Sequence, residues 1–533
     1  MTTCGELLVG LLEAYGIDTV FGIPGVHTVE LYRGLPDTRL RHVTPRHEQG
    51  AGFMADGYAR ACGRPAACFI VTGPGLTNIA TALGQAYADS VPLLVISSVN
   101  NRHELGLGEG RLHELPSQRN LMAGLTAFSH TLLRPDELPG VLARAFAVFG
   151  AARPRPVHIE LPLDVITAPA DHVPKQRVGH VARPGPAADA IAAAAELLRR
   201  AERPLVVLGG GARDAAPQAR ALVERLGALA VTTVNGMGIL PSEHPMCPGG
   251  TLSQPPVLEE MAEADVVLAV GTELGETDTL LFDGRLTLGG RLIRIDIDPW
   301  QLTSTALPDV AILSDAGPAL EALQRELEDH ETDRAPAEAR AQMLRGRSQR
   351  LLDGRQRLHQ RFMAAVQEAL PGVILVGDST QPVYSANMFY RAEQPRSYFN
   401  SSTGYGTLGY ALPAALGAKL ARTGRPVVAL MGDGGLQFAV GELATAVELA
   451  LPLPILLWNN RGYGEIKRYM AERGIPQIGV DIYTPDFLTI ARGFGCRAER
   501  AESLKQLQGL LQQSSQETGP TLIEIDEEEA LAW

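Results

Sequence analysis

The sequence predicts an α/β protein made of three parallel-sheet α/β domains, and three observations carry that expectation. Short apolar runs of strand character alternate with helical patterns along most of the chain, the arrangement of βαβ units around parallel sheets. At 533 residues the chain has room for roughly two to four domains, each burying its own core. Two stretches interrupt the alternation: 166–186 carries repeated prolines and few apolar pairs, and 330–350 is a charged, alanine-containing connection. The domains that follow are 1–170, 185–330 and 345–533.

Taken in order, the elements justify themselves by spacing. Leu7, Leu8, Leu11, Leu12 and Tyr15 recur every three or four residues up to Gly16, which predicts a helix, and Thr19-Val20-Phe21 after it is a strand. Glu48 lies between Arg41-His42-Val43-Thr44-Pro45 and the small-residue helix Gly50-Ala51-Gly52, a setting that predicts a partly buried carboxyl at a strand end. Burial favours the protonated form of a carboxyl and suits it to proton exchange near neutral pH. The plainer role for Glu48 is a pair with Arg46 or His47. Further on, Gly73-Pro74-Gly75 is followed by a helical stretch and the strand Pro92-Leu93-Leu94-Val95-Ile96. In the middle region, Pro204-Leu205-Val206-Val207 leads into Leu208-Gly209-Gly210-Gly211-Ala212, a glycine turn that carries little on its own.

The last third holds the pattern richest in chemistry. The strand Val427-Val428-Ala429-Leu430-Met431 feeds Gly432-Asp433-Gly434-Gly435, and the apolar run Pro454-Ile455-Leu456-Leu457-Trp458 delivers Asn459-Asn460. Asp433 offers charge and Asn460 a neutral oxygen at two strand ends. Mg²⁺ takes about six oxygens at roughly 2.0–2.1 Å, usually one or two protein groups plus phosphate and water. Gly434 and Gly435 let backbone N–H groups approach phosphate, and a helix expected from near Leu436 turns its positive end the same way. A metal–diphosphate site follows, against the alternative of an ordinary strand-turn-helix and a polar turn. This unit also echoes the one around Gly73-Pro74-Gly75. Two domains of one fold explain the echo, and so does the general likeness of strand-turn-helix-strand units.

Composition narrows the partners. A net charge of −13, with 60 acidic against 47 basic residues, argues against nucleic acid and favours solubility. The apolar runs fall far short of the roughly 20 residues of a spanning helix, so no membrane partner is expected. The start, Met1-Thr2-Thr3-Cys4-Gly5-Glu6, lacks a basic leader region. Five scattered cysteines, Cys4, Cys62, Cys68, Cys247 and Cys496, form no metal pair or disulfide framework, which points to a reducing, cytoplasmic setting.

With Asn459-Asn460 following it, Gly432-Asp433-Gly434 resembles the signature of thiamine-diphosphate enzymes. Phe21-Gly22-Ile23-Pro24-Gly25, Arg46-His47-Glu48-Gln49-Gly50-Ala51, Ala55-Asp56-Gly57-Tyr58-Ala59-Arg60, Thr72-Gly73-Pro74-Gly75-Leu76-Thr77-Asn78 and Gly404-Tyr405-Gly406-Thr407-Leu408-Gly409-Tyr410 are similar to segments of the acetolactate synthase, benzoylformate decarboxylase and pyruvate decarboxylase group. The resemblance covers nearly the whole chain. It implies the thiamine-diphosphate-binding fold, with related first and third domains, and the cofactors thiamine diphosphate and Mg²⁺.

The site residues are carried over by that resemblance. Glu48 would be the catalytic group, bonding the aminopyrimidine of the cofactor. Pro24, Gly25, Thr72 and Asn78 match the pyrimidine side, Gly406 a carbonyl acceptor for its amino group, and Leu408 an apolar wedge. Without the family, Leu408 is plain core. Thr380 and Gln381 match a turn that meets the diphosphate beside Gly434 and Gly435, although Pro382 stands where synthases usually carry histidine. Asp433, Asn460 and the carbonyl of Gly462 match the Mg²⁺ ligands. The chemistry implied is decarboxylation of a 2-oxo acid by carbanion stabilisation on the cofactor, ending in protonation or in attack on a second carbonyl. In this group the pyrimidine-binding domain of one subunit meets the diphosphate-binding domain of another, which implies a homodimer or homotetramer with active sites at the interface.

The substrate is read from departures. The phenylalanine-glutamine pair of acetolactate synthases is missing, with His113-Glu114-Leu115 in that neighbourhood. The double histidine of pyruvate decarboxylases is absent as well, leaving His103. Glu465 puts an acid where relatives mostly carry apolar or small residues. Glu109, Glu114 and Glu465, with His113 nearby, would form an acidic wall that selects a cationic tail, since guanidinium pairs bidentately with carboxylate. The plainer role of Glu109 and Glu114 is that of solvated loop charges. The expected activity is non-oxidative decarboxylation of a basic 2-oxo acid such as 5-guanidino-2-oxopentanoate, a step of arginine catabolism. The alternatives are an acetolactate synthase-type carboligase acting on pyruvate, a benzoylformate decarboxylase-like enzyme, a flavin-dependent oxidase and a noncatalytic regulatory relative. Phe282-Asp283-Gly284-Arg285 and Ile295-Asp296-Ile297-Asp298-Pro299 keep only part of the flavin pattern, so FAD is not expected.

Overall fold

The computed structural model describes residues 1–282 and 284–533. Its first sheet holds β1 (Thr19–Gly22), β2 (Arg41–Val43), β3 (Ala66–Ile70), β4 (Leu93–Val99), β5 (Phe128–Thr131) and β6 (Val157–Pro162). The second holds β7 (Pro204–Leu208), β8 (Leu229–Thr232), β9 (Val266–Val270), β10 (Arg291–Asp296) and β11 (Val310–Leu313). The third holds β12 (Ile374–Gly377), β13 (Tyr398–Asn400), β14 (Val427–Gly432), β15 (Leu453–Asn459), β16 (Arg497–Arg500) and β17 (Pro520–Asp526). Every strand pair in the three sheets is parallel. Central strands such as Leu93–Val99 and Leu453–Asn459 are buried along their whole length. Helices cover both faces, and a strand buried on both faces must be apolar throughout.

The first sheet runs β2-β1-β3-β4-β6-β5 and the third β13-β12-β14-β15-β17-β16. These are one order repeated. The echo in the sequence is therefore real: Gly73-Pro74-Gly75 and Gly432-Asp433-Gly434 both follow the third strand of their sheet. The two domains join through helices Glu48–Cys62 and Ala411–Ala421. A Cβ at Gly57 would drive into the carbonyl of Ala414, and one at Gly417 into that of Met54, so each backbone lies in a notch that only glycine leaves on the other. One hydrophobic core, from Phe21 and Phe53 to Tyr410 and Leu443, runs through both domains.

A buried polar hub ties in the central domain. The Arg60 guanidinium pairs with Asp56 at 2.6 Å and Asp89 at 2.7 Å, and Asp89 also accepts from Asn235 and Thr403. Arg60 is only 2% exposed, a charge tolerated because two carboxylates satisfy it. The stretch expected as a charged connection is largely helix: Ala335–Leu351 is continuous, with Ala337, Ala341, Leu344 and Ser348 buried along one face. Three small residues and one leucine at three-to-four spacing make that face, and Arg340 fastens the helix to Glu260 at 2.9 Å. Among the described residues, no helix is long and apolar enough to cross a membrane.

Candidate active site

Strand β14 ends at Gly432 and the helix Asp433–Ala439 starts at once, three residues before the expected Leu436. Extended Gly432 caps it, so the unspent N–H groups of the first turn belong to Asp433, Gly434 and Gly435 themselves. Packing requires those glycines. A Cβ at Gly434 would stand 2.8 Å from the Tyr463 ring, and one at Gly435 3.2 Å from the Asp378 carboxylate.

Strand β15 delivers Asn459 and Asn460 to different jobs. The Asn459 amide donates to Glu524 at 2.8 Å and braces the sheet. The Asn460 amide oxygen instead stands 2.8 Å from the Gly462 carbonyl and 3.1 Å from Asp433 Oδ1. Three acceptors thus converge with no proton between them. Swapping the amide would make hydrogen bonds of these contacts, whereas a cation among the oxygens satisfies them as they stand. An octahedral ion with ligands at roughly 2.0–2.1 Å places neighbouring oxygens about 2.9–3.0 Å apart. The other Asp433 oxygen, Oδ2, is buried without a partner, and burial pushes this carboxyl up to about 6. These donors fit Mg²⁺. Among the described residues no group of three His, Cys, Asp or Glu side chains could hold a metal.

Nearby lie the other residues predicted for this half. Thr380 precedes the helix Gln381–Phe389, with Pro382 in its first turn. Gln381 meets the Asn460 amide at 3.4 Å, and Thr380 Oγ1 lies 3.1 Å from the Cβ position of Gly432. Gly406 is exposed at φ 76, and Leu408 is half-buried. Between them the Thr407 hydroxyl donates to Gln85 of the first domain at 2.9 Å.

In the first domain Glu48 is not at a strand end. It opens the helix Glu48–Cys62, behind the N-cap His47, and is 9% exposed. Nor does it pair with its neighbours: the N–H groups of Arg46 and His47 donate to Glu442, and the Arg46 guanidinium pairs with Glu448. Glu48 Oε2 accepts from the Asn78 amide at 2.9 Å, and Oε1 lies 3.2 Å from the Cβ position of Gly75. The Thr72 hydroxyl bonds Ser98 at 3.0 Å, Pro24 is exposed, and the Gly25 N–H donates to Thr28 at 3.0 Å.

The acidic residues separate by environment. Glu465, in the first turn of helix Gly464–Glu472, is 35% exposed at its side chain and pairs with Arg468. It lies close enough to Tyr384 to help burial push that phenol up to about 12. The Glu114 carboxylate accepts from the N–H groups of Gly108 at 2.8 Å and Arg111 at 2.9 Å, which hold it below the usual carboxylate range. Glu109 pairs with Arg111 at 3.1 Å. His103 is exposed beside Glu104, whereas His113 faces His27. Sequence reasoning passed over His27, although it lies two residues beyond the Pro24-Gly25 motif, and over Glu442, which no motif marks.

A cavity of about 240 Å³ opens where the carboxyl ends of the central sheet meet the other domains; it is lined by Gly210, Gly211, Arg213, Asp278 and Asp296, with Arg153 from the first domain. Burial pushes Asp278 up to about 7 and Arg213 down to about 9. Of the partial flavin pattern, Asp283 lies outside the described residues and Phe282 is exposed.

Two related α/β domains, one carrying an acidic cation cradle at a glycine turn and the other a sheltered glutamate at a helix start, define a thiamine-diphosphate enzyme. Comparison with known families places it further. The chain belongs to the thiamine pyrophosphate enzyme family, matching its N-terminal TPP binding domain over residues 2–121, its central domain over 191–323 and its C-terminal TPP binding domain over 376–525. It is 49% identical to a probable 2-ketoarginine decarboxylase of Pseudomonas aeruginosa, over 98% of this chain and 94% of that protein. It is 32% identical to the acetolactate synthase large subunit of Corynebacterium glutamicum, over 100% and 88%, and 31% identical to the isozyme 1 large subunit of Escherichia coli, over 98% and 93%.

Proposed function

We propose that this chain catalyses the thiamine-diphosphate- and Mg²⁺-dependent, non-oxidative decarboxylation of 5-guanidino-2-oxopentanoate, the 2-oxo acid of arginine. The likeness to a probable 2-ketoarginine decarboxylase, far above that to the synthases and extending along nearly the whole chain, carries the proposal. Asp433, Asn460 and the Gly462 carbonyl would hold Mg²⁺, with Gly434, Gly435, Thr380 and Gln381 toward the diphosphate. Pro24, Gly25, Thr72, Asn78, Gly406 and Leu408 would form the pyrimidine side. When bound, thiamine diphosphate supplies the electron sink for the pair released as CO₂ leaves. Glu48 would be the carboxyl that meets the aminopyrimidine, oriented by the Asn78 amide, which donates to its Oε2. Glu465, whose carboxylate pairs with the Arg468 guanidinium, would take the substrate's cationic tail.

The same reading takes 1–170, 185–330 and 345–533 as the domains, a cytoplasmic homodimer or homotetramer as the working form, and no flavin in the central domain. The test is steady-state turnover of 5-guanidino-2-oxopentanoate, pyruvate and benzoylformate with thiamine diphosphate and Mg²⁺. The guanidino acid should lead in kcat/KM by a hundredfold or more, as expected of a charged hydrogen bond worth about 1.5–3 kcal/mol plus tail burial. Glu465→Gln should raise KM for that acid alone, by about tenfold. A preference for pyruvate with acetolactate as product would sink the proposal in favour of the carboligase.

A further inference from the structure

The segment 403–409, which carries Gly406 and Leu408, is fastened chiefly through one residue. Gly404, Gly406 and Gly409 take φ 74, 76 and 79, and no atom lies within 4 Å of a Cβ placed on Gly406. Tyr405 and Gly406 are exposed and Leu408 is half-buried. Thr407 among them is 7% exposed, and all its polar groups are bonded. Its carbonyl accepts from the hydroxyls of Ser401 at 2.6 Å and Ser379 at 3.3 Å, both in the third domain. Its N–H and its hydroxyl instead donate across the domain joint to Gln85 Oε1, at 3.3 and 2.9 Å.

Gln85 is fully buried, and its amide nitrogen donates to Asp89 Oδ2 at 2.6 Å and to the Thr403 carbonyl at 3.1 Å. Asp89 is itself held by Arg60 and Asn235. The nitrogen must face that carboxylate, so the oxygen must face Thr407; turning the amide would strand buried groups on both sides. The neighbours of Gln85 meet the same segment. A Cβ at Gly84 would stand 2.5 Å from the Tyr405 ring, and one at Gly404 2.9 Å from the Ala88 side chain. The last turns of the helix Pro74–Ala88 thus form the bed on which 404–407 lies, while Asn78, nearer its start, donates to Glu48.

Building on the decarboxylase reading, we infer that Gln85 is the positioning residue of the pyrimidine grip. By holding the N–H and hydroxyl of Thr407, it fixes the Gly406 carbonyl and the Leu408 side chain where the aminopyrimidine would meet them. One helix then sets both the Glu48 carboxyl and the segment that faces it across the cofactor.

The test separates the two ends of the cofactor. Inorganic pyrophosphate with Mg²⁺ engages the diphosphate cradle alone, whereas thiamine diphosphate engages cradle and grip. Gln85→Met keeps the side-chain volume and removes both polar groups. In isothermal titration of the cofactor-free, full-length protein it should weaken thiamine diphosphate about tenfold, the weight of about one hydrogen bond, and leave pyrophosphate within about twofold of the wild type. Thr407→Val should weaken thiamine diphosphate in the same sense, and Thr407→Ser, which keeps the hydroxyl, should bind it as the wild type does. The double variant Gln85→Met/Thr407→Val should be no weaker than Gln85→Met, because both act through one contact. In the unloaded protein, amide hydrogen exchange over 403–409 should quicken in Gln85→Met. Equal weakening of the two ligands, an unchanged affinity for thiamine diphosphate, or additive losses in the double variant would overturn the inference. Should Gln85→Met not fold, the Thr407 pair decides: loss in both Val and Ser, or in neither, overturns it. The decarboxylase reading fails separately, by wild-type turnover of the 2-oxo acids, since these titrations contain no substrate.

Discussion

In the first domain the chain leaves β3 and enters its helix through Gly73-Pro74-Gly75; in the third it leaves β14 and enters through Gly432-Asp433-Gly434, at the same place in the same strand order. Proline and aspartate occupy the same first helical position. Proline there sacrifices no hydrogen bond and adds no charge. Its turn therefore serves as a neutral wall, with Glu48 against Gly75 and His113 against Gly73. Aspartate at that position brings an anion to the helix start, with its Oδ1 3.1 Å from the Asn460 amide group, which also meets the Gly462 carbonyl at 2.8 Å. On the proposed reading, one scaffold would thus make a proton-handling half and a cation-holding half, with a single side chain at the turn setting much of the difference.

The largest expected effects separate those halves. Glu48→Gln keeps the size and polarity of the side chain, so thiamine diphosphate should still bind with Mg²⁺ while kcat falls by about 10²–10⁴. Asp433→Asn should do the opposite first: cofactor affinity should fall at least tenfold, and added Mg²⁺ should recover part of the turnover. Isothermal titration and steady-state rates on both variants check this. Equal losses of binding in the two would erase the division of labour.

Much of this was legible in the sequence because it depends on local pattern. Strand runs, glycine turns and Asn459-Asn460 mark themselves within a few residues, and the echo between the two domains proved to be a shared strand order. Contacts between distant segments were less legible. Glu442, which receives the N–H groups of Arg46 and His47 from almost 400 residues earlier, belongs to no motif. The N-terminal start of the helix at Asp433 and the place of Glu48 at a helix start, not a strand end, depend on where the chain turns, and periodicity does not report that. The helix Ala335–Leu351 hid because its buried face is alanine and serine around a single leucine, Leu344, a weak hydropathy that resembles a linker. His27 was the readable miss, a histidine two residues beyond a recognised motif.

The next effect tests whether the two domains are joined symmetrically. Gly57 lies against the Ala414 carbonyl and Gly417 against that of Met54, backbone against backbone in both directions. Neither carbonyl can move aside without unwinding its own helix. Gly57→Ala and Gly417→Ala should each destabilise the protein by at least the ~1–3 kcal/mol of an overpacked core. Gly509, in the helix Leu504–Ser514 with nothing within 4 Å of its Cβ position, is the control. Gly509→Ala should be neutral or stabilising by up to about 1 kcal/mol. Urea unfolding followed by circular dichroism reads all three; a harmless Gly417→Ala beside a harmful Gly57→Ala would show that only the first domain depends on the close crossing.

The smallest effect concerns a buried histidine in each half. His158, on β6, is held between Ser97 and Ser129, and burial drives its imidazole down to about 3. His359, in the helix Gly354–Ala369, bonds Ser385 at 2.8 Å and meets the Trp458 ring edge to face; burial drives it down to about 4. Both values lie below that of an unfolded histidine, about 6.5. The folded protein therefore binds fewer protons than the unfolded chain, and stability is fully present above pH 6.5 and lost as pH falls below it. Each ring should cost about 1.4 kcal/mol per pH unit in that range, the loss ending near pH 4 for His359 and near pH 3 for His158. Between pH 6.5 and 5.5, before most carboxylates protonate, the slope of unfolding free energy should fall in His158→Gln and in His359→Gln by about half a proton at the upper end, rising toward one at the lower. A slope unchanged by His359→Gln alone would mean that the third domain admits water to its histidine, and that the two halves differ in the tightness of their cores as well as in their turns.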